Sequence, residues 1–571
     1  MQRSSSLASV LNDASPPPFL QPVRTSCGGV NCNPFVASLI SSLRSSALKV
    51  IASITTHKSH FGSMLLAVRA RWVHRCRRNM AHFPLFVQNE LREAVDGATI
   101  DIEDPATGAS VATCATAGPA DVAAAVDAAK AAWPAWRDVG AKKRATILRN
   151  AAQELRRRVP ELCDVETRQT GRPRREYKAQ LGRVPEWFEY HASLAETTEG
   201  AAPNFIGDPD HLCLVQRVPL GVCGLITPFN HPLLIASKKL APCLATGNTA
   251  VVKPSELAPG SILLLGEIFA ASGAPPGVVN VLPGGADAAT ALAAHEDVAR
   301  VDLTGGSAAG KALGSIAGSR GVSYGAELAG HAPLLVFDDV DLDQAVAGAC
   351  FAAFLAAGQT CVSAKRIFVA RRIYDEFASR LAKRADALRV GDPFAPGTDV
   401  GPLVSAKALA AARAFVDASG AEILAGGSAP CAPSEAFMNG HFFRPTVLAG
   451  DPALDCFREE CFAPVVCIAP FDDEADAIAK ANASAYALGA GVWTRDVGRA
   501  HRVASQLNAG VTWVNCHHRN GPDAPWGGFL KSGVGRENGR DAQDAYTASK
   551  TLVVRTAEQG EDWFGGDARY G

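Results

Sequence analysis

The chain has no Cys-x-x-Cys pair and no cluster of cysteine and histidine at zinc spacing, although it holds 15 cysteines in 571 residues. Scattered thiols of this kind suit a reducing compartment better than a disulfide framework. His295-Glu296 lacks the second histidine of a metalloprotease helix, so no metal is assigned. Acidic residues are nearly absent from residues 1–79, which carry ten Lys or Arg and the single acid Asp13. The remaining 46 bases face 56 acids, a balance of −10 that leaves no basic footprint for nucleic acid. No internal repeat is found.

The basic, serine-rich leader reads as a mitochondrial or plastid transit peptide. The alternatives are a disordered leader in a cytoplasmic protein, or upstream sequence never translated if synthesis starts at Met64 or Met80. Within it, Val36, Leu39, Ile40, Leu43 and Ala47 recur at helical spacing, but Arg44 and Lys49 argue against a membrane span. The apolar fraction of 47% and the charged fraction of 20% fit a soluble globular body. Its length calls for at least two domains.

Periodicity predicts a strand over 99–103, then amphipathic helices over 119–133 and 142–158. A different rhythm begins at Gly221. Short apolar runs at 221–226, 249–252, 278–282, 299–303 and 321–327 alternate with helical stretches at 231–246 and 260–272, and with helices opening at Ala286 and Ser307. Five strands alternating with helices predict a doubly wound parallel sheet of the nucleotide-binding type. A second α/β stretch runs from residue 333 to about residue 535, with a helix over 374–388 and strands over 465–469 and 510–515. Residues 546–554 are again strand-like. The fold class is therefore α/β: a doubly wound nucleotide-binding sheet, a second α/β catalytic domain and a small β oligomerisation element. The expected divisions are a leader (1–81), a nucleotide-binding domain (82–330, with 200–218 in a bridging β element), a catalytic domain (331–530) and a C-terminal segment (531–571).

Ligands of such sheets bind at the carboxyl ends of the strands. No G-x-G-x-x-G follows the first strand. In its place Thr304-Gly305-Gly306-Ser307 opens onto a helix N-terminus, whose free N–H groups could hold a pyrophosphate. Lys253-Pro254-Ser255-Glu256 ends the second strand and Pro283-Gly284-Gly285 the third. A carboxylate at Glu256 would repel a 2′-phosphate, so NAD is expected over NADP.

The stretches Pro228-Phe229-Asn230, Lys253-Pro254-Ser255-Glu256, Glu327-Leu328-Ala329-Gly330, Gly358-Gln359-Thr360-Cys361, Glu460-Cys461-Phe462-Ala463-Pro464 and Pro525-Trp526-Gly527-Gly528-Phe529 stand in one order. With them, the chain from about 82 to 555 resembles the aldehyde dehydrogenase superfamily. The resemblance implies that Cys361 attacks an aldehyde as thiolate and carries the acyl group as a thioester. Asn230 and the Cys361 backbone N–H would hold the oxyanion. Glu327 would activate the hydrolytic water. Lys239 would assist proton movement, while Glu460 and Phe462 would hold the nicotinamide ribose. Lys253, Ser255, Glu256, Gly284, Gly306, Ser307 and Leu328 complete the coenzyme set. Asn230 is also a good helix N-cap in its context.

Several residues depart from the family pattern: Ala329, His331, Ala463 and Gly306-Ser307 replace its usual Gly, Lys, Gly and Ser-Thr. The substrate tunnel would be lined by Leu234, Lys238, Leu355, Thr360, Val362, His518 and Asn520, with His517 and Arg519 adjoining. Its basic character suggests a polar or carboxylate-bearing aldehyde. The same resemblance implies a homodimer or homotetramer bridged by strands near 203–218 and 546–554. Two rivals stand beside this reading: a CoA-acylating relative, which needs no water-activating base, and a catalytically silent binding protein on the same scaffold.

Overall fold

A computed structural model describes residues 81–205, 207 and 209–558; the leader falls outside them, and with it the targeting expectation. Five parallel strands carry the first sheet: β1 (Val222–Ile226), β2 (Thr249–Lys253), β3 (Val279–Val281), β4 (Val298–Thr304) and β5 (Ser323–Glu327). They lie side by side in the order 3-2-1-4-5. Both β1 and β2 are buried at every residue, as continuous apolar strands are when helices cover both faces. The linking helices are α1 (Pro232–Ala245), α2 (Gly260–Ala271), α3 (Ala286–Ala294) and α4 (Ser307–Arg320). Strand order reverses between β1 and β4, and a crevice for a ligand opens at such a point.

The sheet is not purely parallel. Leu85–Val87 and Glu90–Arg92 add antiparallel strands beyond β3, and Gly533–Val534 pairs antiparallel with β5. The segment after residue 530 therefore completes the nucleotide-binding sheet as well as supplying the expected terminal strand. A second sheet of seven strands runs from Glu422–Ala425 through Thr446–Ala449, Val465–Phe471, Ala364–Ala370, Ala332–Val336 and Gly489–Trp493 to Val511–Val514. Only the pair at 422–425 and 446–449 is antiparallel within it. The terminal strand Thr547–Arg555 pairs with His211–Pro219 along its whole length, from Thr547 opposite Pro219 to Arg555 opposite His211.

The helix expected over 142–158 extends over Ala141–Thr170 and passes through Pro160. A proline removes one hydrogen bond from a helix. Here the buried residues Leu162, Cys163 and Glu166 beyond it continue the packed face. Packing outweighs the local penalty.

All fourteen residues of α1 are buried, so its free N-terminal N–H groups need partners inside the protein. Pro232 removes one such donor. The Leu233 N–H donates to Glu166 Oε1 at 2.8 Å, and Ser261 Oγ donates to the same oxygen at 2.6 Å. Asn230 does not cap the helix as its context suggested. The cap position is His231, which makes no side-chain cap bond. Burial raises the Glu166 carboxyl from 4.5 to about 7. Glu166→Ala should cost about 1–3 kcal/mol in denaturant unfolding by stranding both donors. The folded-state pKa lies above the unfolded one, so the wild type should lose stability as pH rises from 4.5 to about 7. Glu166→Gln should lack that slope.

Candidate active site

Cys361 follows a loop whose backbone is locally strained. Ala356, Ala357 and Gly358 adopt φ of 55°, 53° and 65° in succession, a left-handed run that costs energy at the two alanines. Lys365 holds the loop by donating from Nζ to the carbonyls of Gly358 at 2.8 Å and Ala463 at 2.6 Å. Gly358 cannot carry a side chain, because a Cβ there would stand 2.3 Å from Ala463 O. Gly330 is bound as tightly by the nucleophile loop: its Cβ would lie 2.1 Å from Cys361 O. That contact explains the final glycine of Glu327-Leu328-Ala329-Gly330.

Cys361 Sγ donates to Glu327 Oε1 at 3.3 Å, joining two residues 34 apart in sequence. Trp526 Nε1 donates to the same oxygen at 2.7 Å, while Thr304 Oγ1 lies 3.4 Å from Glu327 Oε2. Burial raises the Glu327 carboxyl, with the charge of Lys238 opposing it. Burial also pushes the Cys361 thiol well above its usual range, reinforced by the Glu327 charge and hydrogen bond. Asn230 is buried; its Nδ2 donates to Gln359 O at 2.9 Å, and its Oδ1 has no partner. The predicted thiol, carboxylate and amide are thus brought together by the ends of β1, β5 and the nucleophile loop.

Beneath them runs a buried chain of charges that motif reading missed in large part. Lys239 Nζ pairs with Asp302 Oδ1 at 2.5 Å and Glu537 Oε1 at 2.6 Å. Lys238 Nζ pairs with Glu537 Oε2 at 2.7 Å, lies 3.8 Å from Glu327 Oε2, and sits 4.6 Å from the Trp526 ring centroid. Arg300 pairs with Asp302 Oδ2 at 2.6 Å, and Tyr546 OH donates to that oxygen at 3.0 Å. Lys238 therefore does not line the substrate passage as expected. Two carboxylates draw it inward. Burial would raise the Glu537 carboxyl, but Lys238 and Lys239 bring it down to about 2.

A cavity of about 780 Å³ is lined by Leu234, Leu355, His518 and Asn520 of the expected set, together with Arg172, Arg183, Arg384 and Arg519. Thr360 and Val362 are not among its walls. Thr360 Oγ1 is bonded to His231 Nε2 at 3.1 Å, and Val362 is buried in a cluster with Leu488, Trp513 and Trp526. Burial lowers the pKa of His517 to about 4 and that of His518 well below its ordinary value, so neither adds positive charge near neutral pH.

At the nucleotide crevice, Gly306 is the N-cap residue of α4, with open space where a Cβ would point. Ser307 Oγ and Thr227 Oγ1 are both buried without partners, so two hydroxyls are left for a ligand. Lys253 Nζ donates to Gly284 O at 2.6 Å and lies 3.9 Å from Glu256 Oε2, whose side chain is half exposed. Ser255 is buried beside it, its Oγ accepting from Leu257 N. Leu328 packs where a Cβ on Gly310 would strike it, fixing α4 against the end of β5. Glu460 Oε1 accepts from Gly330 N at 3.2 Å, and burial raises its carboxyl to about 7. The Phe462 ring meets Phe229 edge-on at 6.0 Å. These groups fit a dinucleotide: exposed donors at a helix N-terminus, unpaired hydroxyls, and a carboxylate at the end of β2. Among the described residues no group of three or more His, Cys, Asp or Glu gathers as a metal site, and no helix is long and apolar enough to cross a membrane.

Residues 92–552 match the model of the aldehyde dehydrogenase family. The chain belongs to that family. Among solved structures, a putative aldehyde dehydrogenase from Burkholderia cenocepacia is 38% identical, aligned over 84% of this chain and 99% of its own, with a TM-score of 0.82. PnpE from Pseudomonas sp. WBC-3 is 37% identical over 85% of this chain and 99% of its own, also at 0.82. Betaine aldehyde dehydrogenase from Staphylococcus aureus, solved in complex with NAD+, is 33% identical over 85% and 97%, again at 0.82. This chain is an NAD(P)-dependent aldehyde dehydrogenase.

The Cys361–Glu327 contact has a measurable consequence. Removing the Glu327 charge should let the thiol ionise at lower pH, since that charge is one of the forces raising it. The pH profile of iodoacetamide alkylation at Cys361 should therefore shift downward in Glu327→Gln. Mapping the labelled peptide by mass spectrometry checks it.

Proposed function

We propose that the chain oxidises a polar or carboxylate-bearing aldehyde to the free acid through an acyl group carried on Cys361. The observation that carries this reading is the 3.3 Å contact between the Cys361 thiol and the Glu327 carboxylate. Glu327 accepts the thiol proton, and the sulfur attacks the aldehyde carbon. The oxygen becomes an alkoxide facing Asn230 Nδ2 and the Cys361 N–H, donors fixed before the charge exists. Bound in the crevice beside Ser307 and Glu460, NAD+ would supply the hydride acceptor, and loss of that hydride from the carbon would leave a thioester on Cys361. Glu327 first releases the thiol's proton to solvent, then takes a proton from water as the hydroxide attacks the thioester, and returns that proton to the departing sulfur. The C–S bond breaks, the acid leaves and the thiol is restored. A base in that position favours hydrolysis over transfer to CoA.

The substrate class rests on the cavity. Arg172 is paired with Glu176 at 2.6 Å and Arg183 with Glu186 at 3.0 Å, whereas Arg384 and Arg519 have no carboxylate partner among the described residues. An anionic group at the far end of the aldehyde would supply one. The expected homodimer or homotetramer is supported by the two-stranded sheet at 211–219 and 547–555, whose Leu212, Leu552, Val553 and Val554 are exposed on this chain.

Steady-state kinetics with succinic semialdehyde, benzaldehyde and hexanal test the substrate class. Succinic semialdehyde should give the highest kcat/KM, and Arg519→Leu should lower that value roughly 10- to 100-fold while sparing benzaldehyde. A preference for hexanal would refute an anionic substrate. In the reaction itself, Asn230→Ala should slow turnover by about 10²–10³, and product analysis should find free acid whether or not CoA is supplied.

A further inference from the structure

Lys238 is buried and in contact with Glu537, Glu327 and the Trp526 ring. Its neighbour Lys239 already supplies Glu537 and Asp302 with a cation. The chain beneath the thiol thus holds Lys238, Lys239 and Arg300 against Asp302, Glu537 and Glu327, three groups of each sign, all buried. Without Lys238, Asp302 and Glu537 would balance Lys239 and Arg300 completely. A charged Glu327 would then be an uncompensated buried anion, and protonation would be the neutral alternative. With Lys238 present, the ionised carboxylate is the neutral arrangement.

We propose that Lys238 is a positioning residue that keeps Glu327 ionised, and so able to act as a base, by supplying the third positive charge of this buried chain. The proposal rests on the thioester reading given above. Other groups around the pair do not supply the charge. Trp526 and Thr304 contribute only neutral donors to Glu327. Cys361 carries its proton in the resting site, because burial and Glu327 raise its pKa. Glu460 is bonded to Gly330 N, and Lys365 is spent on the carbonyls of Gly358 and Ala463. His231 is bonded to Thr360 and neighbours Arg172; burial and that guanidinium keep it neutral. His518 is likewise kept neutral by burial.

The test is the pH dependence of acyl-enzyme hydrolysis, followed by quenching and intact mass of the protein carrying an acyl group on Cys361. Removing an opposite charge within about 4–6 Å moves a carboxyl by about 1–3 pH units. In Lys238→Met the acid limb should rise by that amount, with the rate recovering at high pH as Glu327 finally ionises. Glu537→Gln, which removes an anion, should move the limb down instead. In Lys238→Met/Glu537→Gln, Lys239 and Arg300 face only Asp302 and Glu327, so neutrality again requires ionised Glu327 and the limb should return toward its wild-type position. A merely structural lysine would not give opposite shifts, nor a recovery on adding a second substitution. An unmoved limb in Lys238→Met, or a double variant displaced as far as the single one, overturns the proposal. If Lys238→Met does not fold, Lys238→Gln takes its place with the same expected directions. A wild type that never accumulates an acyl adduct refutes the thioester reading itself, and the role of Lys238 with it; an adduct with an unmoved limb refutes only the latter.

Discussion

Six charges buried in one continuous chain beside a thiol can persist only if each is matched. Breaking a single buried pair commonly costs about 3–5 kcal/mol, because the partner is left charged and dry. Here β4 supplies Arg300 and Asp302, α1 supplies two adjacent lysines, β5 ends in Glu327, and the chain beyond Gly533–Val534 returns with Glu537. The carboxylate of Glu537 joins the two lysines, one oxygen to each. Matching therefore ties three separate segments of the nucleotide-binding sheet to one another and to the base. The entire burial of α1 and the antiparallel return strand at the edge of β5 are what bring these groups within reach.

The same economy of space governs the nucleophile. The left-handed run before Cys361 turns the chain sharply enough for its thiol to meet the end of β5, and Lys365 and the close approach of Gly330 hold it there. Glu327 raises the thiol's pKa in the resting state yet is the acceptor of its proton. The resting thiol thus keeps its proton, and in the proposed mechanism its ionisation is coupled to the group that later activates water.

Much of this was legible in the sequence. Short apolar runs ended within one residue of the ends of β1 to β5, because a strand covered on both faces must be apolar throughout and its flanking turns must be small or polar. Cys361, Glu327 and Asn230 were legible because each lies in a short motif at a strand end or turn. Lys238 was instead placed in the substrate tunnel and Glu537 was given no role, since a charged residue inside an apolar helix, or after a Gly-rich turn, does not reveal its partner in local sequence. Their pairing spans nearly 300 residues of chain. Asn230 was read partly as a helix cap, and the cap was instead provided by Glu166 from a different helix. The helix expected over 142–158 runs on through Pro160 to Thr170, because tertiary packing overrides the local penalty. Long-range partners decide each of these cases, and local pattern does not carry them.

The central claim is that a base at Glu327 is needed to release the acyl group but not to retain it on sulfur. Rapid-mixing measurement of NADH formation in Glu327→Gln, begun at a pH where the thiol can ionise unaided, tests it most directly. The account predicts a burst of about one NADH per active site followed by a near-halt, as the thioester accumulates on Cys361 without its general base. Continued turnover at the wild-type rate after the first equivalent would contradict it.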